Sequence, residues 1–398
     1  MQVQAIGRLG ADVPGRPRLV AGWELRLTRD GDLLLLRELG EGDLLIEGDG
    51  AYVAELLRAA DGTRTAEQVA RRTDGTGVED PLECLAELAR LGILEDAALD
   101  TPGLDARATE RFDRQLAYFS RRLPAGVTRT DPQLRLQRAR VCVLGMGGLG
   151  SWTALALATC GVGTIVGVDC DAVELSNLNR QVLYAESDIG RSKAQAAGRL
   201  LRAYDSRLDY VPVVARMESV DDVLGVIEGA DAVVAAADWP PHLIDRWVSE
   251  ACFARGVPYI AMSQQPPVVR VGPLYVPGET GCYACQEEGF RRSYPGYDDL
   301  VDTTSPFATT ATFGPACAVI GGMAAFDLVH VIAGLDAPMT RGRALFVDLS
   351  TGATRGEEVV RVAGCPRCSD GARGSAPPPG PDPAARTLRR RDTSVARS

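Results

Sequence analysis

Lysine is almost absent from this chain of 398 residues, whose basic charge is carried by arginine; the one lysine is Lys193. Codon bias accounts for the arginines. A lysine kept where every other is replaced suggests a place that needs a compact ammonium rather than a planar fork. Histidine is nearly as scarce, with only His242 and His330, both read as capping or packing residues rather than catalysts. Positive charge is in deficit: the net charge is −10, so nucleic acid is not an expected partner. No run reaches the ~18 apolar residues of a membrane span. The first residues, MQVQAIGRLG, lack the apolar core of a signal peptide. No membrane partner and a cytoplasmic location are therefore expected. In that setting ten cysteines point to metal or buried thiols rather than disulfides.

What is present reads as a soluble α/β chain long enough for two domains. Residues 1–100 form a first unit. RLVAGWELRL and DLLLLREL read as two strands joined at Asp30–Gly31, with a third over 43–47. Helices are expected over 51–60, 65–72 and 80–91, with Thr65 as N-cap, Gly92 as C-cap, and Leu82, Leu85, Leu88 and Leu91 on one stripe. Strands followed by short helices ending in LGILED make a small winged-helix-like α+β domain. Residues 101–110 read as a linker, 111–370 as the main domain, and 371–398, rich in Pro, Ala and Arg, as a disordered tail.

The main domain opens with RVCVLGMGGLG over 140–150. A buried strand runs into Gly145, Gly147, Gly148 and Gly150, and then a helix: a turn that admits a phosphate to bare backbone at a helix N-terminus. A second strand over 164–168 ends at Asp169, where dinucleotide folds bind a ribose hydroxyl. Further strands are expected over 210–214, 232–237 and 258–261, alternating with helices over 189–204, 221–227 and 242–254. This rhythm gives a Rossmann-like doubly wound, mostly parallel sheet. Later short strands, VVRVGPLYV, ALFVDLS and EEVVRV, flank a helix over 314–333.

Between Asp169 and Lys193 lies DCDAVELSNLNRQVLYAESDIGRSK, which crowds Asp171, Asn177, Arg180 and Gln181 beside the phosphate loop. Two CxxC pairs, Cys282/Cys285 and Cys365/Cys368, have the spacing of a closed, structural zinc site with four cysteine ligands. The remaining cysteines, Cys84, Cys142, Cys160, Cys170, Cys252 and Cys317, read as core thiols.

GxGGLG, DxD, SNLNRQ and GxxK together resemble the ThiF/MoeB/ubiquitin-activating superfamily of ATP-dependent adenylating enzymes. The resemblance implies that Asp169 binds the ribose of ATP, that Asn177, Arg180 and Lys193 hold its triphosphate, and that Asp238 holds Mg²⁺. It also implies a homodimer in which an arginine of RFDRQ, Arg111 or Arg114, reaches the partner's nucleotide. On spacing alone both arginines read as solvated. The superfamily's TDN stands here as ADW. The cysteine-free stretch 286–312 disfavours the thioester or persulfide step of some relatives. Within the superfamily, ADWPPHLIDRW and GPLYVPGETGCYAC are similar to the MccB-type peptide adenylyltransferases, which carry a small N-terminal peptide clamp. DGTRTAEQVA…LAELARLGILED resembles PqqD-like domains, which hold a leader peptide as an added strand; a winged-helix packing module without a ligand is the alternative. Adenylation of the C-terminal carboxylate of a short precursor peptide is the implied reaction, with release of pyrophosphate. Activation of a ubiquitin-like sulfur carrier, or a non-catalytic leader-presenting role, remains open.

Overall fold

The computed structural model describes residues 13–369 apart from 38–42, 74–79, 124–126 and 303–310. The expected tail 371–398 and part of the cysteine-free stretch lie outside the described residues.

The N-terminal unit contains β1 (Pro17–Leu19), β2 (Trp23–Leu27), β3 (Leu33–Arg37), β4 (Leu44–Ile46), α1 (Gly50–Ala59), α2 (Ala66–Arg72), α3 (Pro81–Arg90) and β5 (Leu94–Asp96). Strands β2, β3 and β4 form an antiparallel sheet and β1 pairs with β5. Leu33 and Leu35 of β3 pack with Leu56 and Leu57 of α1 and Leu85 of α3 in one apolar core. The local signals sit where physical chemistry puts them. Thr65 and Gln68 exchange capping bonds at the start of α2. Asp80 caps the first turn of α3, and Gly92, at φ 70°, follows its last turn. The expected leucine stripe stops early: α3 ends at Arg90, so Leu91 falls past the last turn and is exposed. Arg18, bonded to Glu95 and Asp100, fastens the end of this unit to its first strand, and Arg129 beside Glu95 ties it to the chain that follows.

Helices α4 (Ala106–Arg111), α5 (Asp113–Ser120) and α6 (Thr130–Arg138) lead into the main sheet. Its strands and helices alternate as β6 (Arg140–Leu144), α7 (Gly148–Thr159), β7 (Thr164–Val168), α8 (Lys193–Tyr204), β8 (Asp209–Val213), α9 (Val220–Val226), β9 (Ala232–Ala235), α10 (Leu243–Arg255) and β10 (Tyr259–Gln265). Strand β11 (Val268–Tyr275), helices α11 (Tyr283–Ser293), α12 (Tyr297–Asp302) and α13 (Gly314–Ala333), and strands β12 (Arg343–Asp348) and β13 (Thr354–Glu358) complete it. The eight strands lie in the order β13-β12-β11-β10-β9-β6-β7-β8. The five from β10 to β8 are parallel, and β11 to β13 are added antiparallel. The central strands β6, β7 and β9 are buried on both faces, which is why they read as continuous apolar runs. Strand order reverses beside β6, where β7 lies on one side and β9 on the other. Open α/β sheets bind ligands beyond the carboxyl ends of the strands at such a point.

Two expectations need correction. The helix expected from Ile189 starts at Lys193, because the Ser192 hydroxyl caps it. And α13, at 20 residues with mean hydropathy 1.9, is long and apolar enough to cross a membrane by length and composition. Here it is a core helix packed on α7, and a Cβ at Gly321 would lie 2.7 Å from Trp152. Its Asp327 is fully buried and accepts backbone hydrogen bonds from Met339 and Thr340.

Candidate active site

A cleft of about 670 Å³ opens at the carboxyl ends of the parallel strands. Its floor is the turn after β6. Gly145 has φ 89°, and a Cβ there would lie 2.7 Å from the Ala236 backbone. A Cβ at Gly150 would lie 1.8 Å from the Gly145 carbonyl oxygen. These two glycines let the turn close against β9 and against its own helix. Above Gly147 there is room: a Cβ would meet nothing nearer than Gln181 Nε2 at 3.9 Å. Gly147 is the N-cap of α7 and offers no side-chain cap, so the first N–H groups and the positive dipole end of α7 are left to a ligand. This open cradle fits a phosphate.

One wall follows β7. The Asp169 carboxylate accepts hydrogen bonds of 2.8 Å from the N–H of Met146 and of 2.8 Å from that of Asp171. Burial pushes its pKa up, against the pull of those two N–H groups and of Lys193. Lys193, at the first turn of α8, is only 7% exposed. Its Nζ lies 2.8 Å from Asp171 Oδ2, and this bond pulls the Asp171 pKa down. A buried ammonium balanced by one exposed carboxylate is set to meet further negative charge. The loop between carries Asn177, whose amide oxygen accepts from the Glu174 N–H and so shapes the turn. Arg180 follows, its guanidinium on the Ser176 carbonyl and Asn179 Oδ1. Gln181 is buried, and its Oε1 has no hydrogen-bond partner among the described residues. The opposite wall follows β9, where Asp238 and Trp239 line the cleft. A single carboxylate beside phosphate space suits Mg²⁺, which is held by one or two carboxylates plus phosphate oxygens.

The structure therefore brings Gly145, Gly147, Gly148, Asp169, Asp171, Asn177, Arg180, Gln181, Lys193 and Asp238 to one cleft. Gly150 lies just beneath, within α7. Arg111 and Arg114 are not brought there. Arg111 bonds the Tyr204 carbonyl and lies beside Asp205, while the Arg114 side chain is 99% exposed. Phe112 between them packs at Gly161, past the far end of α7. The 12 residues of that helix put ~18 Å between the two ends.

One thiol departs from the core reading. Cys170 is exposed in the cleft wall between Asp169 and Asp171. Cys317 is buried, but it touches the phosphate loop: a Cβ at Gly148 would lie 2.8 Å from its sulfur. The cleft also takes in residues no motif marked: Ala215–Met217 beyond β8, Met262–Gln264 on β10, and Thr312. For the residues beyond β8 and on β10 the one sequence signal is position toward the carboxyl end of a parallel strand, whereas Thr312 precedes α13 and carries none.

The four knuckle cysteines meet at a separate place, all buried, with their sulfurs within 4.8 Å of one another. Cys282 lies 3.6 Å from Cys365 and Cys285 lies 3.4 Å from Cys368, sulfur to sulfur. A tetrahedron of Zn–S bonds of ~2.3 Å requires S···S near ~3.8 Å, so the set fits zinc. Burial pushes the Cys282 thiol up. Burial pushes Cys365 up as well, but the backbone N–H groups of Arg367 and Cys368 outweigh it and bring that thiol to about 7.

Comparisons with known proteins agree with this geometry. The ThiF family model matches residues 113–368. The sulfur carrier protein ThiS adenylyltransferase of Escherichia coli is 29% identical over 259 residues, covering 64% of this chain and 96% of the relative. The adenylyltransferase and sulfurtransferase MOCS3 of Culex quinquefasciatus is 30% identical over 270 residues, and the match covers 66% of this chain but only 57% of that protein. Among solved structures, Escherichia coli MccB with AMPCPP and MccA superimposes with TM-score 0.70 at 24% identity, covering 89% of this chain and 99% of that one. With the family model spanning the glycine turn, the Lys193 wall and both cysteine pairs, the chain belongs to the ThiF family and is an adenylyltransferase of that family.

Proposed function

We propose that this enzyme uses ATP to adenylate the C-terminal carboxylate of a short, ribosomally made peptide whose leader is held by the N-terminal unit. The observation that carries this reading is coverage. The likeness to MccB extends over 89% of the chain, so it takes in the small N-terminal unit, whereas the family model begins only at residue 113. Among the described residues no further strand pairs with the outer edges of β2 and β4 in the three-stranded sheet, and an extended leader could add there as a strand.

In this reading Asp169 holds the ribose hydroxyls, and the α7 N-terminus and glycine turn hold phosphate. Arg180 and Lys193 neutralise the charge that grows on the leaving pyrophosphate, with Asn177 and Gln181 supporting their loop. Asp238 would hold Mg²⁺, which supplies charge neutralisation at the phosphates. The peptide carboxylate attacks the α-phosphorus and the bond to the bridging oxygen breaks, giving an acyl-adenylate and pyrophosphate. A carboxylate is already ionised at neutral pH, so no general base is needed. Catalysis is then positioning plus electrostatics. Zinc in the four-cysteine site would clip the chain beyond β13 to α11. The enzyme is proposed to be a cytoplasmic homodimer, in which the solvated Arg114, or Arg111, meets the partner's nucleotide.

The test is peptide-dependent release of pyrophosphate from ATP by the purified protein, abolished by Lys193→Ala. A second reading, activation of a sulfur carrier ending in Gly-Gly, is favoured by the names of the relatives of known sequence. Release driven by such a carrier, and not by short peptides, would establish it instead.

A further inference from the structure

Gln264 lies on β10, on the far side of the cleft from Asp169. Strand order places β10 two strands from β6, in the direction away from β7. Adjacent strands are ~4.8 Å apart, so Gln264 stands ~10 Å across from the axis of β6 on the side opposite the ribose carboxylate. The pyrophosphate-binding cations Arg180 and Lys193 come from the loop beyond β7. The β10 side is thus left for the group that attacks.

The Gln264 side chain is fixed. Its Nε2 donates to Cys317 Sγ at 3.0 Å, and that sulfur abuts Gly148 at the start of α7. With the amide nitrogen anchored, the direction of the carbonyl oxygen is set. That Oε1 is buried and has no hydrogen-bond partner among the described residues. A buried carbonyl without a donor is costly, and groups of this kind are normally satisfied. Phosphate oxygens cannot satisfy it, because they too only accept. In the reading above the nucleoside donors of ATP lie with Asp169 across the cleft, so in the loaded site the donor on the β10 side comes from the acceptor substrate. When a C-terminal carboxylate sits at the α-phosphorus, the nearest donor on a peptide is the backbone N–H of its own last residue.

The geometry points to Gln264 as the residue that binds the terminal N–H of the acceptor and so aims its carboxylate at the α-phosphorus. The inference rests on adenylation of a terminal carboxylate and adds a substrate rule: the last residue must carry an N–H. Proline or an N-methylated residue in that position is disfavoured whatever its side chain.

The probe is a synthetic heptapeptide library with a randomised last residue, made with either N–H or N–CH3 at that residue, and read by pyrophosphate release. For the wild type, N-methylation lowers kcat/KM at least tenfold. For Gln264→Met, which keeps the side-chain length and loses the acceptor, N–H peptides are weakened about tenfold and N-methylation costs less than twofold. The KM for ATP stays within twofold, and Gln264→Leu serves as the second variant if Gln264→Met melts early. An equal N-methyl penalty in wild type and variant overturns the inference, as does a Gln264 effect that appears only as a changed Mg²⁺ requirement. If a carrier protein alone drives release, the peptide reading fails, and the same comparison is made with a carrier whose last glycine is replaced by sarcosine; an equal penalty there again overturns the role of Gln264.

Discussion

In the proposed function the N-terminal unit and the adenylation unit would carry recognition in opposite ways. In the adenylation unit, single side chains hold fixed posts: Lys193 is buried against Asp171, Asp169 pins the glycine turn, and the four thiols converge to bonding range. In the N-terminal unit the side chains build a leucine core, and what is left to offer a ligand is main chain at the edges of a three-stranded sheet. Strand addition draws its affinity from backbone hydrogen bonds, so it places few demands on residue type. A site made of side chains can be broken at one residue. A site made of backbone can be broken only by changing the ligand or the fold.

That contrast ranks the expected effects. The largest belongs to Lys193→Ala. Removing one preorganised charge at a site of developing negative charge costs about 100- to 1,000-fold in kcat. Asp171 is exposed enough to be rehydrated, so the melting temperature should move little. A variant that keeps a tenth of wild-type pyrophosphate release would show that Arg180 and the α7 N-terminus suffice without it.

Next is the knuckle. Cys365→Ser, or chelation, is expected to lower the melting temperature by about 5–10 °C, the shift that ~2–3 kcal/mol produces in a domain of this size. The loss should fall on the adenylation unit, because both pairs anchor there and none touches the leucine core of the small unit. Unchanged melting with no zinc released on denaturation would remove zinc from the site.

The third tests the backbone side. Deleting the leader from an accepted peptide should raise its KM about tenfold, equivalent to ~1.4 kcal/mol, and leave kcat within twofold. Replacing leader side chains while keeping an extended, N–H-bearing backbone should cost less than the deletion does. Collapse of kcat on leader removal would mean that the small unit takes part in assembling the cleft rather than in holding the peptide.

The same contrast explains what can be read from the chain. The glycine turn, the SNLNRQ loop and the lone lysine are legible because their chemistry fixes residue types at fixed spacing. So are the strands, through continuous apolar runs, and the caps Thr65 and Asp80. Cys317 reads as an inert core thiol because its contact with Gly148 is made by α13 packing across α7, and nothing local to either segment encodes it. Cys170 reads as buried because the strand before it is buried, yet the chain leaves the sheet at Asp169 and exposes the next residue. The small residues of α13 advertise close packing, and its overall hydrophobicity conceals that Asp327 is satisfied within the core. Gln264 has no motif at all; only the strand order places it across the cleft from Asp169. Arg111 and Arg114 lie away from the cleft, Arg111 beside Asp205 and Arg114 in solvent, and a role at a nucleotide is implied for them by the resemblance alone.

The smallest expected effect lies in the loop that joins Asp238 to α10. His242 is the one non-glycine residue with positive φ among the described residues, and it belongs to the adenylation unit. At φ 61° and ψ −37° it is the centre of a γ-turn, closed by the Leu243 N–H on the Pro241 carbonyl at 2.7 Å. It stands at the N-cap position of α10, as expected, and its backbone carbonyl accepts from the Arg246 N–H, but its side chain makes no cap bond. Such a turn is strained for an L-residue, and strain of this kind collects at functional sites. His242→Gly relieves it but frees the unfolded chain, two effects that oppose each other at ~1 kcal/mol each. The expected result is a melting temperature within about 3 °C of wild type. Because the turn sets how the chain leaves Asp238, the variant should lower kcat by about two- to fivefold while leaving the KM for ATP unchanged, a modest loss of orientation. An equal change in any glycine variant of an exposed loop in the N-terminal unit would show that the strain at His242 has no bearing on the cleft.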